Sequence, residues 1–140
     1  MKVLILGLPG SGKTTLAKPF AELIGGVHIN ADEIREHYND WDFTAVGRMR
    51  QAQRMKHLAD GVVMAGKIAV ADFVCPTEEA RQAFDADFTI WMDTIEKGRF
   101  EDTNKMFQPP TNYNYHVAKW FDDTHNQLLD VVKKYMERNK

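Results

Sequence analysis

Short runs of apolar residues alternate along this chain with longer stretches in which apolar residues recur every three or four positions. The short runs, bounded by glycine or polar residues, indicate buried strands, and the longer spacing indicates helices with one buried face. Predicted strands cover residues 3–6, 27–30, 67–72, 88–92 and, more exposed, 113–117. Predicted helices run from about 15 to 24, from 31 as a short turn, from 45 to about 65, from 78 to about 84, and from about 123 onward.

The order of these elements predicts the fold class. Strands that alternate with helices form a parallel sheet with helices on both faces, joined by right-handed crossovers. We therefore expect an α/β fold: a three-layer α/β/α P-loop NTPase fold around a mainly parallel five-stranded sheet. Residues 1–140 contain no linker, repeat or low-complexity tract, and they are expected to form a single domain. A ligand of such a sheet binds at the carboxyl ends of the strands.

Charge and cysteine content narrow the classes of partner. The formal net charge of −2 gives no indication of a nucleic-acid or membrane partner. Cys75 is the only cysteine, so an internal disulfide is impossible and a reducing compartment is favoured. The chain starts in a strand rather than a signal peptide, and no apolar run approaches the ~20 residues that span a bilayer. A cytoplasmic location is the expectation.

The turn after the first strand carries the most specific motif. Residues 7–14, Gly-Leu-Pro-Gly-Ser-Gly-Lys-Thr, fit the phosphate-binding pattern G-x-x-x-x-G-K-[ST] between a buried strand and a helix. The glycines let backbone N–H groups approach phosphate oxygens, and the following helix start favours the anion. Lys13 is expected to reach the β- and γ-phosphates, and the Thr14 hydroxyl to bind Mg²⁺. The predicted nucleotide-binding residues here are Gly7, Pro9, Gly10, Ser11, Gly12, Lys13, Thr14 and Thr15.

The next two strand ends carry residues suited to phosphoryl transfer, which needs a carboxylate near the attacking hydroxyl or the metal and arginines for an anionic acceptor. Asp32 and Arg35 lie three residues apart, on one side of a helical turn. Asp72 ends the third strand in the pattern of a carboxylate on Mg²⁺ or its water shell. For Asp32 and Arg35 the structural alternative is a capped helix that carries a surface ion pair. For Asp72 the alternative is a residue at the strand end that caps a neighbouring turn. An N-K-x-D-like element of GTPases is missing, which favours a small-molecule kinase.

The chain resembles the adenylylsulfate (APS) kinases, which convert adenylyl sulfate and MgATP to 3′-phosphoadenylyl sulfate and ADP. The resemblance covers about residues 1–110 through an ordered set of short matches. Residues 30–35 resemble the family's D-G-D-N-V-R, 42–43 its G-F, 47–54 its D-R-x-x-N-x-x-R, 72–76 its A-F-I-S-P, 92–94 its V-D-T, and 105–107 its K-G-F.

The resemblance implies a role for each matched residue. Asp32 would lie near the acceptor 3′-hydroxyl and Mg²⁺, with Lys13 and Arg35 completing the catalytic group. The implied substrate-binding residues are Asp32, Arg35, Phe43, Arg48, Gln51, Phe73, Lys105 and Phe107. Among these, Arg35 and Arg48 would hold the phosphosulfate, Gln51 would replace a substrate-binding Asn, and Phe43 and Phe107 would sandwich the adenine with Lys105 nearby. The predicted metal residues are Thr14, from the phosphate-binding motif, Asp72, from the pattern at the end of the third strand, and Asp32, from the resemblance.

Several positions depart from the family pattern. Asn30 stands where the family has a carboxylate, and Asp72 stands where it has alanine, so Asp72 is expected to compensate on the metal side. Cys75 replaces a serine and is expected to be structural. The lid segment, residues 96–103, is shorter than the family's basic lid and keeps only Arg99 to cover the phosphates. A short lid excludes water less well, so slower turnover or some ATP hydrolysis is expected.

The sequence therefore predicts an ATP- and Mg²⁺-dependent adenylylsulfate kinase. Two alternatives remain open: a P-loop kinase for a polynucleotide 5′-hydroxyl or a nucleoside, and a nucleotide-binding module with weak catalysis. The sequence of residues 30–35 also resembles the N-x-D-D-x-R segment of polynucleotide kinases, but the chain lacks a basic groove for a strand. The expected partner is the nucleotide substrate adenylyl sulfate. Binding to a membrane is not expected, and binding to nucleic acid is disfavoured. A homodimer remains open.

Overall fold

The computed structural model describes residues 1–98, 101–120 and 123–139, and it shows a five-stranded sheet with helices on both faces. The strands are β1 Lys2–Gly7, β2 Val27–Asn30, β3 Ala69–Asp72, β4 Phe88–Met92 and β5 Tyr115–Val117. The helices are α1 Lys13–Ile24, α2 Ala31–Tyr38, α3 Ala45–Met64, α4 Glu78–Phe84, α5 Glu101–Met106 and α6 Thr124–Arg138. No helix within these ranges is both long enough and apolar enough to cross a bilayer.

The sheet has the order β2-β3-β1-β4-β5, and every neighbouring pair is parallel. All six residues of the central strand β1 are buried, and the apolar run 3–6 within it predicted a strand covered on both faces. Alternate side chains of β1 enter two separate cores. Val3 and Ile5 pack with Phe20 of α1 and Leu128 of α6, whereas Leu4 and Leu6 pack with α3 and α4. The predicted three-layer α/β/α fold is confirmed, with a sheet that is wholly parallel.

Side chains cap the starts of α2, α3 and α4. The Asn30 side chain accepts a hydrogen bond from the Glu33 N–H, and the Thr44 hydroxyl accepts one from the Gly47 N–H. The Thr77 hydroxyl accepts one from the Ala80 N–H. These bonds satisfy donors that have no partner within the helix. Because α2 and α4 follow β2 and β3 closely, their first turns lie beside the carboxyl ends of those strands.

Some predicted boundaries are wrong. No helix was predicted in the polar stretch 96–112, but it contains α5. The fifth strand begins at Tyr115 rather than 113, and the third at Ala69 rather than 67. Helix α5 has no apolar period that would predict it. Instead the buried Thr103 accepts a hydrogen bond of 2.6 Å from the Arg48 guanidinium, so a tertiary contact holds this short helix in place.

A glycine substitution in α3 should lower stability. A Cβ added at Gly47 would overlap the carbonyl oxygen and the carboxyl group of Asp42, so the loop before α3 would have to move. We expect Gly47→Ala to lower the free energy of unfolding by about 1–3 kcal/mol, measured by urea denaturation. Gly61→Ala is the matched control, because Gly61 is in the same helix and a Cβ there meets no atom within 4 Å. That control should raise stability by about 0.5–1 kcal/mol. Equal effects of the two substitutions would contradict the proposed overlap.

Candidate active site

A cavity of about 1200 Å³ opens at the carboxyl ends of the strands. One wall is the turn between β1 and α1, and another is the first turn of α2. The rest comes from the loop before α3, the start of α3, the segment after β3, and α5. These elements meet because parallel strands end at one edge of the sheet. The predicted site residues that line this cavity are Pro9, Gly10, Gly12, Lys13, Thr14, Thr15, Asp32, Arg35, Phe43, Arg48, Gln51, Asp72 and Phe73.

The turn between β1 and α1 has the backbone of an anion-binding loop. Gly10 and Gly12 have φ of 89° and 97°, a region that side-chain-bearing residues rarely adopt. Gly12 precedes α1 and no side chain caps this helix, whose first residues line the cavity. The Lys13 ammonium donates to the Leu8 carbonyl at 3.1 Å. The Ser11 hydroxyl is buried and has no hydrogen-bond partner within the described part of the chain. The loop therefore has the backbone conformation that binds phosphate oxygens.

Gly7 lines no part of the cavity but fixes the position of the loop. A Cβ at Gly7 would lie 2.5 Å from the Met92 carbonyl oxygen and 2.8 Å from the Ser11 hydroxyl. The Thr94 hydroxyl donates to the Ser11 carbonyl at 2.6 Å, which ties the loop to the segment that follows β4. The loop is thus held against β4 at close range, and only glycine leaves room for that approach.

A polar cluster joins the loop to the ends of β2 and β3. The Thr14 hydroxyl donates to Asp72 Oδ1 at 3.2 Å, and the Asn30 amide donates to the Thr14 hydroxyl at 3.2 Å. The Asn30 amide also lies 3.4 and 3.3 Å from the two Asp72 oxygens. Asn30 and Asp72 are paired in register on adjacent strands, which explains why they meet. The cluster places a hydroxyl and a carboxylate beside the phosphate-binding loop.

His28 is a member of this cluster that the sequence analysis missed. Its Nε2 contacts Asp72 Oδ2, and Asp72 is 2% exposed. His28 and Asn30 are two residues apart on β2 and so point to the same side of the sheet. The alternation of side chains along β2 was the only signal in the sequence that placed His28 on the same side as Asn30. The partner strand was needed to show that both side chains face Asp72.

Thr14 and Asp72 fit a Mg²⁺ site in chemistry, because they supply the hard oxygen ligands that Mg²⁺ prefers. Within residues 1–98, 101–120 and 123–139 no group of three or more His, Cys, Asp or Glu side chains forms a metal cage. A Mg²⁺ ion there would depend on nucleotide phosphates and water for its other ligands, as is usual for this ion. Asp32 lines the same cavity from the exposed first turn of α2. It has no described hydrogen bond to Thr14 or Asp72.

Two buried arginines, from α2 and α3, also line the cavity. Arg35 is 4% exposed and Arg48 is 9% exposed. Arg35 donates to the carbonyls of Asp40 and Asp42 at 3.0 and 3.2 Å, and Arg48 donates to the Phe43 carbonyl at 2.9 Å. Among the described side chains, neither guanidinium has a carboxylate within 4.0 Å.

Burial lowers the pKa of both arginines. Loss of solvation is the largest cause for each, the neighbouring Arg35 adds to it for Arg48, and the charge of Asp40 opposes it for Arg35. Both guanidinium groups remain charged. The carboxylates of Asp32, Asp40 and Asp42 also act on the charge of Arg35, but none of them is described in an ion pair with it, so the two arginines form a pair of cations at the cavity. Such a pair is suited to an anionic ligand.

Gln51 and Phe73 complete this wall. The Gln51 side chain is 2% exposed, and its amide donates to the Ala31 carbonyl at 2.9 Å. Its carbonyl accepts from Arg54 at 3.3 Å. Gln51 thereby links the start of α2 to α3 while it faces the cavity. Phe73 is 6% exposed and packs edge-on against Phe84 in the core.

The predicted adenine sandwich is not assembled in this structure. Phe43 lines the cavity, but Lys105 and Phe107 are not among its lining residues. Lys105 is exposed, and the Phe107 ring lies 5.4 Å from the Arg81 guanidinium and packs against the core. Arg99, predicted to cover the phosphates, lies outside the described residues. Trp41, which the sequence analysis did not select, lines the cavity and is 51% exposed.

Cys75 lines the cavity but should be chemically inert. The residue is 1% exposed, and burial raises the pKa of its thiol to about 12. We expect alkylation by iodoacetamide at pH 8.5 to be about three orders of magnitude slower in the folded protein than in the urea-unfolded chain, where about half of the thiol is thiolate. Mass spectrometry over time measures both rates. The protonated thiol favours the folded state below pH ~8.5, and this contribution is lost as the pH rises toward 12. Equal alkylation rates in the folded protein and the unfolded chain would contradict the burial of the Cys75 thiol.

Comparison with known proteins supports the same architecture. A family model described as an AAA domain matches residues 3–92. The probable adenylyl-sulfate kinase of Aeropyrum pernix is 32% identical over 88 residues, covering 56% of this chain and 46% of that relative. The shikimate kinase of Corynebacterium glutamicum is 24% identical over 114 residues, covering 76% of this chain and 67% of that relative. The matched part thus spans less than half the length of the adenylyl-sulfate kinase relative.

The structure is similar to that of the Mycobacterium tuberculosis APS kinase in complex with AMPPNP and APS. The TM-score is 0.77 at 16% identity, and the match covers 94% of this chain and 96% of that one. At this identity the likeness concerns the fold. Because the family match spans more than half of its residues, this chain belongs to the AAA domain family, and it has the P-loop NTPase fold.

Proposed function

We propose that this protein is a kinase that transfers the γ-phosphoryl group of ATP to the 3′-hydroxyl of adenylyl sulfate, giving 3′-phosphoadenylyl sulfate and ADP. The observation that carries the proposal is the pair of buried arginines, without a described carboxylate partner, in the same cavity as the phosphate-binding loop. A second cationic site, separate from the phosphate-binding loop, calls for an acceptor that itself carries an anionic group. The adenylyl-sulfate kinase relatives support this acceptor.

Each side of the cavity has a distinct task in this reaction. The loop amides and Lys13 bind the β- and γ-phosphates of ATP, and Thr14 and Asp72 would hold Mg²⁺. A bound Mg²⁺ would neutralise charge on the β- and γ-phosphate oxygens. Arg35 and Arg48 bind the phosphosulfate and orient the acceptor.

Asp32 acts on the acceptor side. From the first turn of α2 it accepts the proton of the 3′-hydroxyl as that oxygen attacks the γ-phosphorus. Phosphoryl transfer depends mainly on positioning and charge stabilisation, and the hydrogen-bonded cluster of Thr14, Asn30 and Asp72 holds the donor side in place.

Other acceptors are separate hypotheses. A carboxylate acceptor such as shikimate would also suit two arginines, and the shikimate kinase relative favours it. A polynucleotide 5′-hydroxyl is disfavoured because the chain carries a net charge of −2 and a strand needs a basic groove. A module that only binds nucleotide is disfavoured, because the chain keeps the residues that phosphoryl transfer needs: Lys13, Thr14, Asp32 and Arg35.

The test is ADP release from MgATP with different acceptors. We expect a steep rise when adenylyl sulfate is added and no rise with a 5′-hydroxyl oligonucleotide, adenosine or shikimate. Lys13→Ala protein purified in the same way should show no rise, which excludes a contaminating kinase. Flat ADP release with adenylyl sulfate at saturating ATP would refute the proposal. A rise with shikimate alone would establish the carboxylate alternative.

A further inference from the structure

We infer that Trp41 stacks on the planar base of the acceptor and selects a nucleotide over a non-aromatic acceptor. The resemblance to adenylylsulfate kinases gives this role to Phe43 and Phe107. In this chain Phe107 packs against the core, and Phe43, which lines the cavity and is 48% exposed, has both cavity arginines over its ring. The inference deepens the proposed kinase function and rests on it for the position of the acceptor.

Phe107 is committed to the core. Its ring lies 5.4 Å from the Arg81 guanidinium, and it packs against the cluster below α3 and α4. Arg81 is itself held by the carbonyls of Cys75 and Gln108 at 3.0 and 2.5 Å. Moving Phe107 into the cavity would break the packing around a buried arginine.

Phe43 is already used by the two cavity arginines. The Arg35 guanidinium lies 4.4 Å from the centre of the Phe43 ring, and that of Arg48 lies 5.2 Å from it. Contacts of this kind between a cation and an aromatic face are favourable, more so where solvent is partly excluded. Phe43 therefore supports the groups that would bind the phosphosulfate.

Trp41 remains as an aromatic face without such a commitment. Its only described ring contact is with Phe43, at 6.5 Å between centroids and 44° between planes, and no described cation lies over the indole. The side chain lines the cavity and is 51% exposed. An indole offers a large stacking surface that tolerates different bases.

The loop that carries Trp41 is held on both sides. The Arg35 guanidinium binds the carbonyls of Asp40 and Asp42, the two neighbours of Trp41. The Asp40 carboxylate also pairs with Arg50 at 2.8 Å and Arg54 at 2.7 Å. Little conformational freedom of the backbone is therefore lost when a ligand binds, which favours affinity.

This arrangement describes an acceptor with three features. It has a planar ring for Trp41, an anionic group for the arginine pair that adjoins Phe43, and a hydroxyl that reaches Asp32. A purine nucleotide has all three. Shikimate has a carboxylate and hydroxyls but no aromatic ring, so it would gain nothing from the indole.

Steady-state kinetics with adenylyl sulfate give the first test. We expect Trp41→Ala to raise the KM for adenylyl sulfate about 5- to 150-fold, the range for loss of one base-stacking contact. The kcat and the KM for ATP should change less than about threefold, and Trp41→Phe should restore most of the affinity. The control is Tyr38→Ala, because Tyr38 is 53% exposed, stacks with Arg54 and does not line the cavity. An unchanged KM in Trp41→Ala, with active wild-type enzyme, would overturn the inference and leave the proposed function intact.

Tryptophan fluorescence gives a test that does not require turnover or the alanine variant. Protein saturated with MgADP is titrated with adenylyl sulfate, AMP and shikimate. The first two should quench emission in the wild type but not in Trp41→Phe, and shikimate should quench neither. Quenching by AMP that requires Trp41, in a protein that does not phosphorylate adenylyl sulfate, would uphold the role of Trp41 and refute the proposed acceptor. Equal quenching in wild type and Trp41→Phe would overturn the role of Trp41.

Discussion

Asp32→Asn is expected to lower kcat about 10²- to 10⁴-fold, the usual range for loss of a general base, while the affinity for ATP changes less than about threefold. Asp32 lies in the first turn of α2, where Asn30 rather than Asp32 caps the helix. Its side chain therefore has no structural task in the cap. The amide of Asn is nearly the same size as the carboxylate, so the fold should be unchanged. Single-turnover kinetics with adenylyl sulfate and calorimetric titration with MgATP measure the two effects separately.

Glu33→Gln is the matched control for this prediction. Glu33 is the next residue in the same turn, is exposed and does not line the cavity. It should retain wild-type turnover. Loss of ATP binding in Asp32→Asn would instead show that Asp32 acts on the metal or supports the structure.

The second large effect is expected at Asp72. Asp72→Asn should lower kcat/KM for MgATP at least about 10²-fold and raise the Mg²⁺ concentration needed for half-maximal rate, because the carboxylate near Thr14 becomes neutral. Asn30 and Asp72 face each other in register, and both contact the Thr14 hydroxyl. The double exchange Asn30→Asp/Asp72→Asn restores one carboxylate and one amide at the same place. It should recover at least about tenfold of the lost rate.

Binding of Mn²⁺ to the ADP complex, followed by electron paramagnetic resonance, gives a readout of this site that is independent of turnover. Thermal unfolding of each variant separates loss of metal binding from loss of the fold, since Asp72 is buried and also contacts His28. Unchanged Mg²⁺ dependence in Asp72→Asn would contradict the metal role. A double variant no better than the single one would show that the carboxylate must stand on β3.

The parts of the fold that depend on local patterns were predictable. The buried strands and the glycine-rich loop are each specified within a few residues, and the structure confirms them. Helix α5 was not predictable, because its short polar sequence has no period and its position depends on contact with Arg48 of α3. Tertiary contacts override weak local preference.

The residues of the site also fall into those that a local pattern predicts and those that only the tertiary structure brings together. The sequence alone determined the phosphate-binding loop, because its glycines and Lys13 act through backbone conformation and a reach of a few residues. It also indicated four charged residues but not how they lie relative to one another: Asp32, Arg35, Arg48 and Asp72. Only the tertiary structure decided that Asp72 meets Asn30 and His28 across two strands, that Phe43 packs with the arginines while Phe107 lies under Arg81, and that Trp41 keeps an open face to the cavity. These are contacts between residues distant in the chain or on different elements, and their distances depend on how the sheet and helices pack together rather than on any local pattern.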